Sequence, residues 1–108
     1  MNKVILTGRF VADPEMSYFP DGDAITKFRF AVNSGYGEYE RADFFNVEIT
    51  GKKAENVNQY LSKGSKALVE GRMVCDQVED KYYWKVKAFN VEFLDSKKEE
   101  KEQEELAF

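Results

Sequence analysis

Apolar and polar residues alternate with a period of two along most of this chain, which confines it to a fold built from strands. The first such run, Lys3 to Phe10, sets Val4, Leu6 and Phe10 against Lys3, Thr7 and Arg9, with Gly8 as a bend or bulge. A turn at Pro20-Asp21-Gly22 leads into Thr26 to Asn33, where Phe28, Phe30 and Val32 alternate with Lys27, Arg29 and Ala31. That strand has an apolar inner face and a basic outer one. After the loop from Ser34 to Glu40, Asp43 to Thr50 places Phe45, Val47 and Ile49 inward, so Phe44 falls on the polar side with Asn46, Glu48 and Thr50. Between residues 52 and 62 the period changes, as Ala54, Val57 and Leu61 recur at helical spacing and Gly64 stands as a C-terminal glycine. A long, bent strand follows from Lys66 to Asp76, with Ala67, Val69, Met73 and Cys75 inward and Gly71 at a corner. A polar turn, Glu79-Asp80-Lys81, joins it to a last strand from Tyr82 to Leu94.

Three strands, a helix and two strands give an all-β chain in the order of an OB-type barrel: five strands, with one short helix between strands three and four. Another small five-stranded barrel is the alternative. The barrel is expected over residues 1–94 and a disordered acidic tail over residues 95–108, because Ser96 to Glu105 holds no apolar residue with which to bury a face. The formal charge of −4 is concentrated there: residues 1–94 carry 13 basic and 14 acidic side chains, residues 95–108 carry 3 and 6. The acidic total therefore does not argue against an anionic partner for the barrel.

With no histidine and a single cysteine, the chain offers no internal disulfide and no Cys/His metal site, and the expectation is neither metal nor cofactor. No nucleophile–base pair and no glycine loop for phosphate is recognisable, so the chain is not expected to be an enzyme. The opening residues are too weakly apolar for a secretory signal, and no run approaches a membrane span. A cytoplasmic, membrane-free location is expected.

Several strings together resemble the bacterial and phage single-stranded DNA-binding proteins: NKVILTGR near the start, DPE at Asp13 to Glu15, and FPDGDAITKFRFAVN from Phe19 to Asn33. ADFFNVEITGKKAENVNQYLSKGS from Ala42 to Ser65 and VEGR from Val69 extend the match over nearly the whole barrel. The resemblance implies the OB fold, sequence-tolerant binding of unpaired DNA during replication, recombination or repair, and homo-oligomers, with a tetramer favoured over a dimer.

Unpaired DNA is held by aromatic rings on which bases stack and by cations that follow the phosphates. Phe44 is the leading ring, since a large aromatic on a polar face gains little from the core, and the resemblance matches it to a stacking aromatic. Tyr36 and Tyr39 lie in a loop with no obvious core to join, and the resemblance places a stacking aromatic near Tyr36. In the last strand Tyr83 shares a face with Lys85 and Lys87, while Tyr82, Trp84 and Val86 share the other. That parity assigns Tyr83 to bases and Trp84 to the core. By the resemblance, Thr50 and Val78 stand where many members carry further rings, so either weaker binding per subunit or a path redistributed over Tyr83 is expected. Lys27 and Arg29 lead the expected phosphate contacts, followed by Lys52, Arg72, Lys85 and Lys87, and then by Arg9 and Arg41.

By the same resemblance, Glu104, Glu105, Leu106 and Phe108 form an acidic tip ending in Phe that docks replication, recombination and repair proteins, with Ala107 where Pro is common. The competing reading is a protein-interaction or primosome-type OB module with weak single-strand binding, prompted by Thr50 and Val78. RNA binding is a third, since stacking alone does not reject a 2′-hydroxyl.

Overall fold

The computed structural model describes residues 1–94; the tail and its tip, Glu104, Glu105, Leu106 and Phe108, lie outside the described residues. The elements are β1 (Val4–Phe10), β2 (Glu15–Tyr18), β3 (Ala24–Ser34), a 3-10 turn (Gly37–Tyr39), β4 (Arg41–Thr50), α1 (Lys52–Tyr60), β5 (Lys66–Val78) and β6 (Lys81–Phe93). They form one sheet in the order β1-β5-β6-β4-β3-β2, and it closes on itself where Arg9 and Phe10 of β1 pair with Ala31 and Phe30 of β3. The result is the expected five-stranded barrel, with α1 between its third and fourth strands. β2 is an addition at the edge, paired only with β3. Its four residues include one half-buried apolar side chain, Met16, too little alternation to mark a strand in the sequence.

The alternation seen in the sequence becomes the core. Phe10, Phe28, Phe30, Val47, Ile49, Ala67, Val69 and Val86 are buried inside the barrel, and Ala54 and Val57 of α1 close it together with Leu61 just after the helix. Phe10 stacks on Phe28 with centroids 4.2 Å apart, and Phe30 meets both edge-on at 5.9 Å. Each buried ring is worth roughly 1.5–3 kcal/mol, against about 0–1 kcal/mol for a surface ion pair, so the barrel is held by its rings and aliphatics. The buried Thr26 hydroxyl donates to the Ala54 carbonyl at 2.7 Å and ties α1 to β3.

Two glycines permit the closure. A Cβ on Gly8 would run into the Ala31 carbonyl oxygen, and one on Gly71 into that of Lys87; Gly71 also sits at the register shift between β5 and β6. Gly64 does not end the helix as its spacing suggested. The helix stops at Tyr60 with Leu61 as its extended cap, and Gly64, at φ 87°, turns the chain into β5 and donates its N–H to the Phe10 carbonyl.

β5 and β6 each run for 13 residues, whereas β1 has 7, so the pair outlasts its neighbours. β1 reaches β5 only as far as Gly71, and β4 meets β6 only at Val47–Val86 and Glu48–Lys87. The Asn2 side-chain amide carries the β1 side one step further, donating to the Met73 carbonyl at 2.7 Å and accepting its N–H at 2.9 Å. Beyond these contacts, Cys75–Val78 and Lys81–Trp84 project as a two-stranded arm. Here the sequence expectation fails for Cys75 and Trp84. Both lie on the inward parity, but past the barrel rim that face is not buried in the core, and both are exposed, Trp84 at 60%.

Candidate nucleic-acid interface

The outward parity of β3 and β4 builds a mixed aromatic and charged face. Lys27 lies opposite Glu48, Arg29 opposite Asn46 and Ala31 opposite Phe44. Phe44 remains 52% exposed, and the Arg29 guanidinium carbon sits 4.9 Å from its ring centroid. A cation over a ring at an exposed site contributes about 0.5–1 kcal/mol. The contact keeps a charge and a stacking surface together at one end of the face.

Where β6 diverges from β4, a cleft of about 430 Å³ opens between this face and the arm. Lys27, Arg29, Asn46 and Glu48 form its floor, Tyr83, Trp84 and Lys85 its arm side, and Ala12, Asp13 and Glu15 the side beyond β1. Its volume lies within the range of small-molecule and cofactor sites. Tyr83 is 53% exposed. Trp84, assigned by parity to the core, instead lines the cleft beside Tyr83. The signal that could have found it was strand length: a hairpin much longer than β1 must overhang the barrel.

The formal charges in the cleft cancel, with Lys27, Arg29 and Lys85 set against Asp13, Glu15 and Glu48. Asp13 is partly engaged, accepting the Lys63 backbone N–H at 2.8 Å. Lys85 is engaged on two sides, with its Nζ 3.0 Å from Asp76 Oδ2 and 3.3 Å from Glu48 Oε1. The hydrogen bond to Asp76 foremost raises its ammonium above the ordinary lysine range, against the opposing cost of burial and with a further contribution from the bond to Glu48. Among the described residues, no carboxylate forms an ion pair with Lys27 or Arg29.

The other sequence candidates do not line this cleft. Tyr36 is 91% exposed just ahead of the 3-10 turn, and Tyr39, also exposed, ends that turn. Arg41 pairs with Asp43 at 2.6 Å, and Arg9 donates to the Gly64 carbonyl at 3.1 Å. Lys52 pairs with Glu55 on α1 at 3.3 Å. Arg72 and Lys87 face each other across β5 and β6, both exposed. The structure therefore gathers Lys27, Arg29, Lys85 and Tyr83, sets Phe44 beside them through Arg29, and adds Trp84.

A closed five-stranded barrel, capped by one helix, with a cleft between its β3–β4 face and a long hairpin, defines an OB-type barrel of the kind that accommodates oligonucleotides or oligosaccharides. The sequence profile of the Single-strand binding protein family matches residues 1–104, and the chain belongs to that family. Among its relatives, the Single-stranded DNA-binding protein 1 of Staphylococcus aureus (strain MSSA476) is 40% identical over 115 aligned positions, covering 98% of this chain and 73% of that protein. The Single-stranded DNA-binding protein of Bacillus cereus is 44% identical over 104 positions, covering 88% of this chain and 61% of the relative. The Single-stranded DNA-binding protein 3 of Listeria innocua is 42% identical over 106 positions, covering 90% and 66%.

Proposed function

We propose that this chain binds single-stranded DNA without sequence preference and without catalysis, stacking bases on Phe44, Tyr83 and Trp84 and leading the phosphates past Lys27 and Arg29. The observation that carries this reading is the grouping of solvent-facing rings around one open cleft with two cations, Lys27 and Arg29, that form no ion pair among the described residues, on a chain of the single-strand binding family. Stacking is worth about 1–3 kcal/mol per base and tolerates any base, since each has a π-face. Trp84 supports redistribution of the path: a ring on the arm stands in for those absent at Thr50 and Val78. The same ring argues against a protein-interaction module that has lost its stacking surface. Tyr36 and Tyr39 extend the proposed path along the loop after β3. Lys87 and Arg72, paired across β6 and β5 below the arm, and Lys52, Arg9 and Arg41 are outlying cations that a longer strand would engage.

The biological setting belongs to the same proposal: cytoplasmic protection of unpaired DNA in replication, recombination or repair, by a homo-oligomer whose tip, Glu104 to Phe108, recruits partner proteins. An apolar ring beside a terminal carboxylate suits a pocket with a basic rim. The test is a titration of the fluorescence of Trp84, the only tryptophan, with oligo(dT), oligo(rU) and duplex DNA at several salt concentrations. Saturable quenching strongest with oligo(dT), and weakening as salt rises, is the expected result. Equal affinity for duplex, or none for oligo(dT) at low salt, rejects the proposal.

A further inference from the structure

The arm carries Tyr83 and Trp84, yet β6 joins the barrel's β4 through only two residue pairs. A two-stranded ribbon has little stability of its own and twists more than a wide sheet, so further contacts must set its angle to the β3–β4 face. Lys85 stands at that junction. Its ammonium reaches back to Glu48 on β4 and across to Asp76 on β5, and so ties the barrel and both strands of the arm together. Asp76 lies directly opposite Tyr83 in the ladder, so the tie acts next to a ring of the cleft. The Glu48 side chain is only 12% exposed, which reduces the solvent screening that weakens surface pairs.

Two carboxylates around one ammonium leave this point with a net negative charge. A phosphate arriving there would meet repulsion from both acids, and capture of Lys85 would strip two carboxylates of their partner. Lys27 also has acids nearby, lying opposite Glu15 on β2 and Glu48 on β4, but among the described residues neither its ammonium nor the Arg29 guanidinium is in ion-pair contact with a carboxylate, so a phosphate can take either without breaking a bridge. We propose that Glu48, Lys85 and Asp76 form a latch between barrel and arm, and that Lys85 is a positioning residue that holds Tyr83 and Trp84 at the cleft, not a phosphate contact. The inference rests on the reading of the cleft as a single-strand site, and it replaces the assignment that strand parity gave to Lys85.

The decisive variants are Asp76→Asn and Glu48→Gln, because electrostatics and positioning predict opposite signs. Removing a carboxylate beside a DNA path should tighten binding if charge alone matters. The latch predicts instead that each variant binds oligo(dT) at least threefold more weakly, with an unchanged dependence on salt and a shifted Trp84 emission in the free protein. Lys85→Arg, which can still bridge both acids, should retain wild-type affinity, and Lys85→Gln should lose affinity without a change in salt slope. Unchanged or tighter binding by both acid variants overturns the latch. So does a salt slope in Lys85→Gln that falls by about 0.7, the signature of one lost phosphate contact. Asp76 is more than half exposed, so Asp76→Asn keeps the test open should Glu48→Gln fail to fold. If the wild-type chain fails to bind oligo(dT), the reading of the cleft fails, and the emission of free Asp76→Asn still decides the latch.

Discussion

Phe44 stands on the outward parity of β4 and lends little to the interior, so truncating it removes surface without opening a core cavity. Phe44→Ala should therefore weaken oligo(dT) binding by about 1–3 kcal/mol and leave the urea midpoint almost unmoved. A comparable loss of stability would mean that the ring serves the fold. Tyr83→Ala should weaken binding more than Tyr82→Ala, since Tyr83 lines the cleft and Tyr82 does not; equal small effects would remove Tyr83 from the path. At this scale the sequence was legible wherever strand parity coincides with a barrel wall. Phe44 could be read because β4 is flanked by β3 along its whole length. Trp84 could not, because parity tells which side of a strand a residue takes and nothing about whether that side is covered. The pairing of Lys85 with Glu48 and Asp76 was hidden for a related reason, as it joins positions 37 and 9 residues away across strands whose register no periodicity reports.

Among the elements, the order of the barrel strands and the placement of α1 were readable because each segment carries its own period and its own punctuation. β2 was not, because four residues cannot establish a period, and its pairing with β3 is a property of the folded sheet. The glycines illustrate the same division. Gly8 was legible as an interruption of β1, but its reason is tertiary: β1 crosses so close to β3 that a Cβ would collide with the Ala31 carbonyl oxygen. Its φ lies outside the left-handed region, so conformational strain adds nothing and the steric term can be isolated. Gly8→Ala should destabilise the barrel by about 1–3 kcal/mol, the usual range for overpacking, read as a lower urea midpoint. A neutral result would mean that β1 and β3 separate easily and that the closure is soft.

For the molecule as a whole, charge is distributed so that the barrel and the tail pull in opposite directions. The cleft's three cations are matched by three carboxylates, and Lys85 is held by its acids, which leaves Lys27 and Arg29 as the cleft cations without an ion pair among the described residues. Single strands lose about 0.7 in the salt slope per neutralised phosphate, so these two predict a slope of roughly −1.4 for each copy of the chain. A slope that shallow places most of the affinity on the rings, and a much steeper one would bring the outlying cations into the path. Residues 95–108 add a net charge of −3 to a barrel that carries −1, and they can only oppose an incoming polyanion. Among the described residues the last strand, β6, ends at Phe93, and the Leu94 N–H closes on the Lys66 carbonyl at 3.1 Å. A chain ending at Leu94 should keep its urea midpoint and bind oligo(dT) as tightly as the full chain or more tightly, with the difference greatest at low salt, where screening is weakest. It should at the same time lose any partner captured through Phe108. Weaker DNA binding on truncation would show that the tail contributes to the interface and would overturn the separation of the two roles.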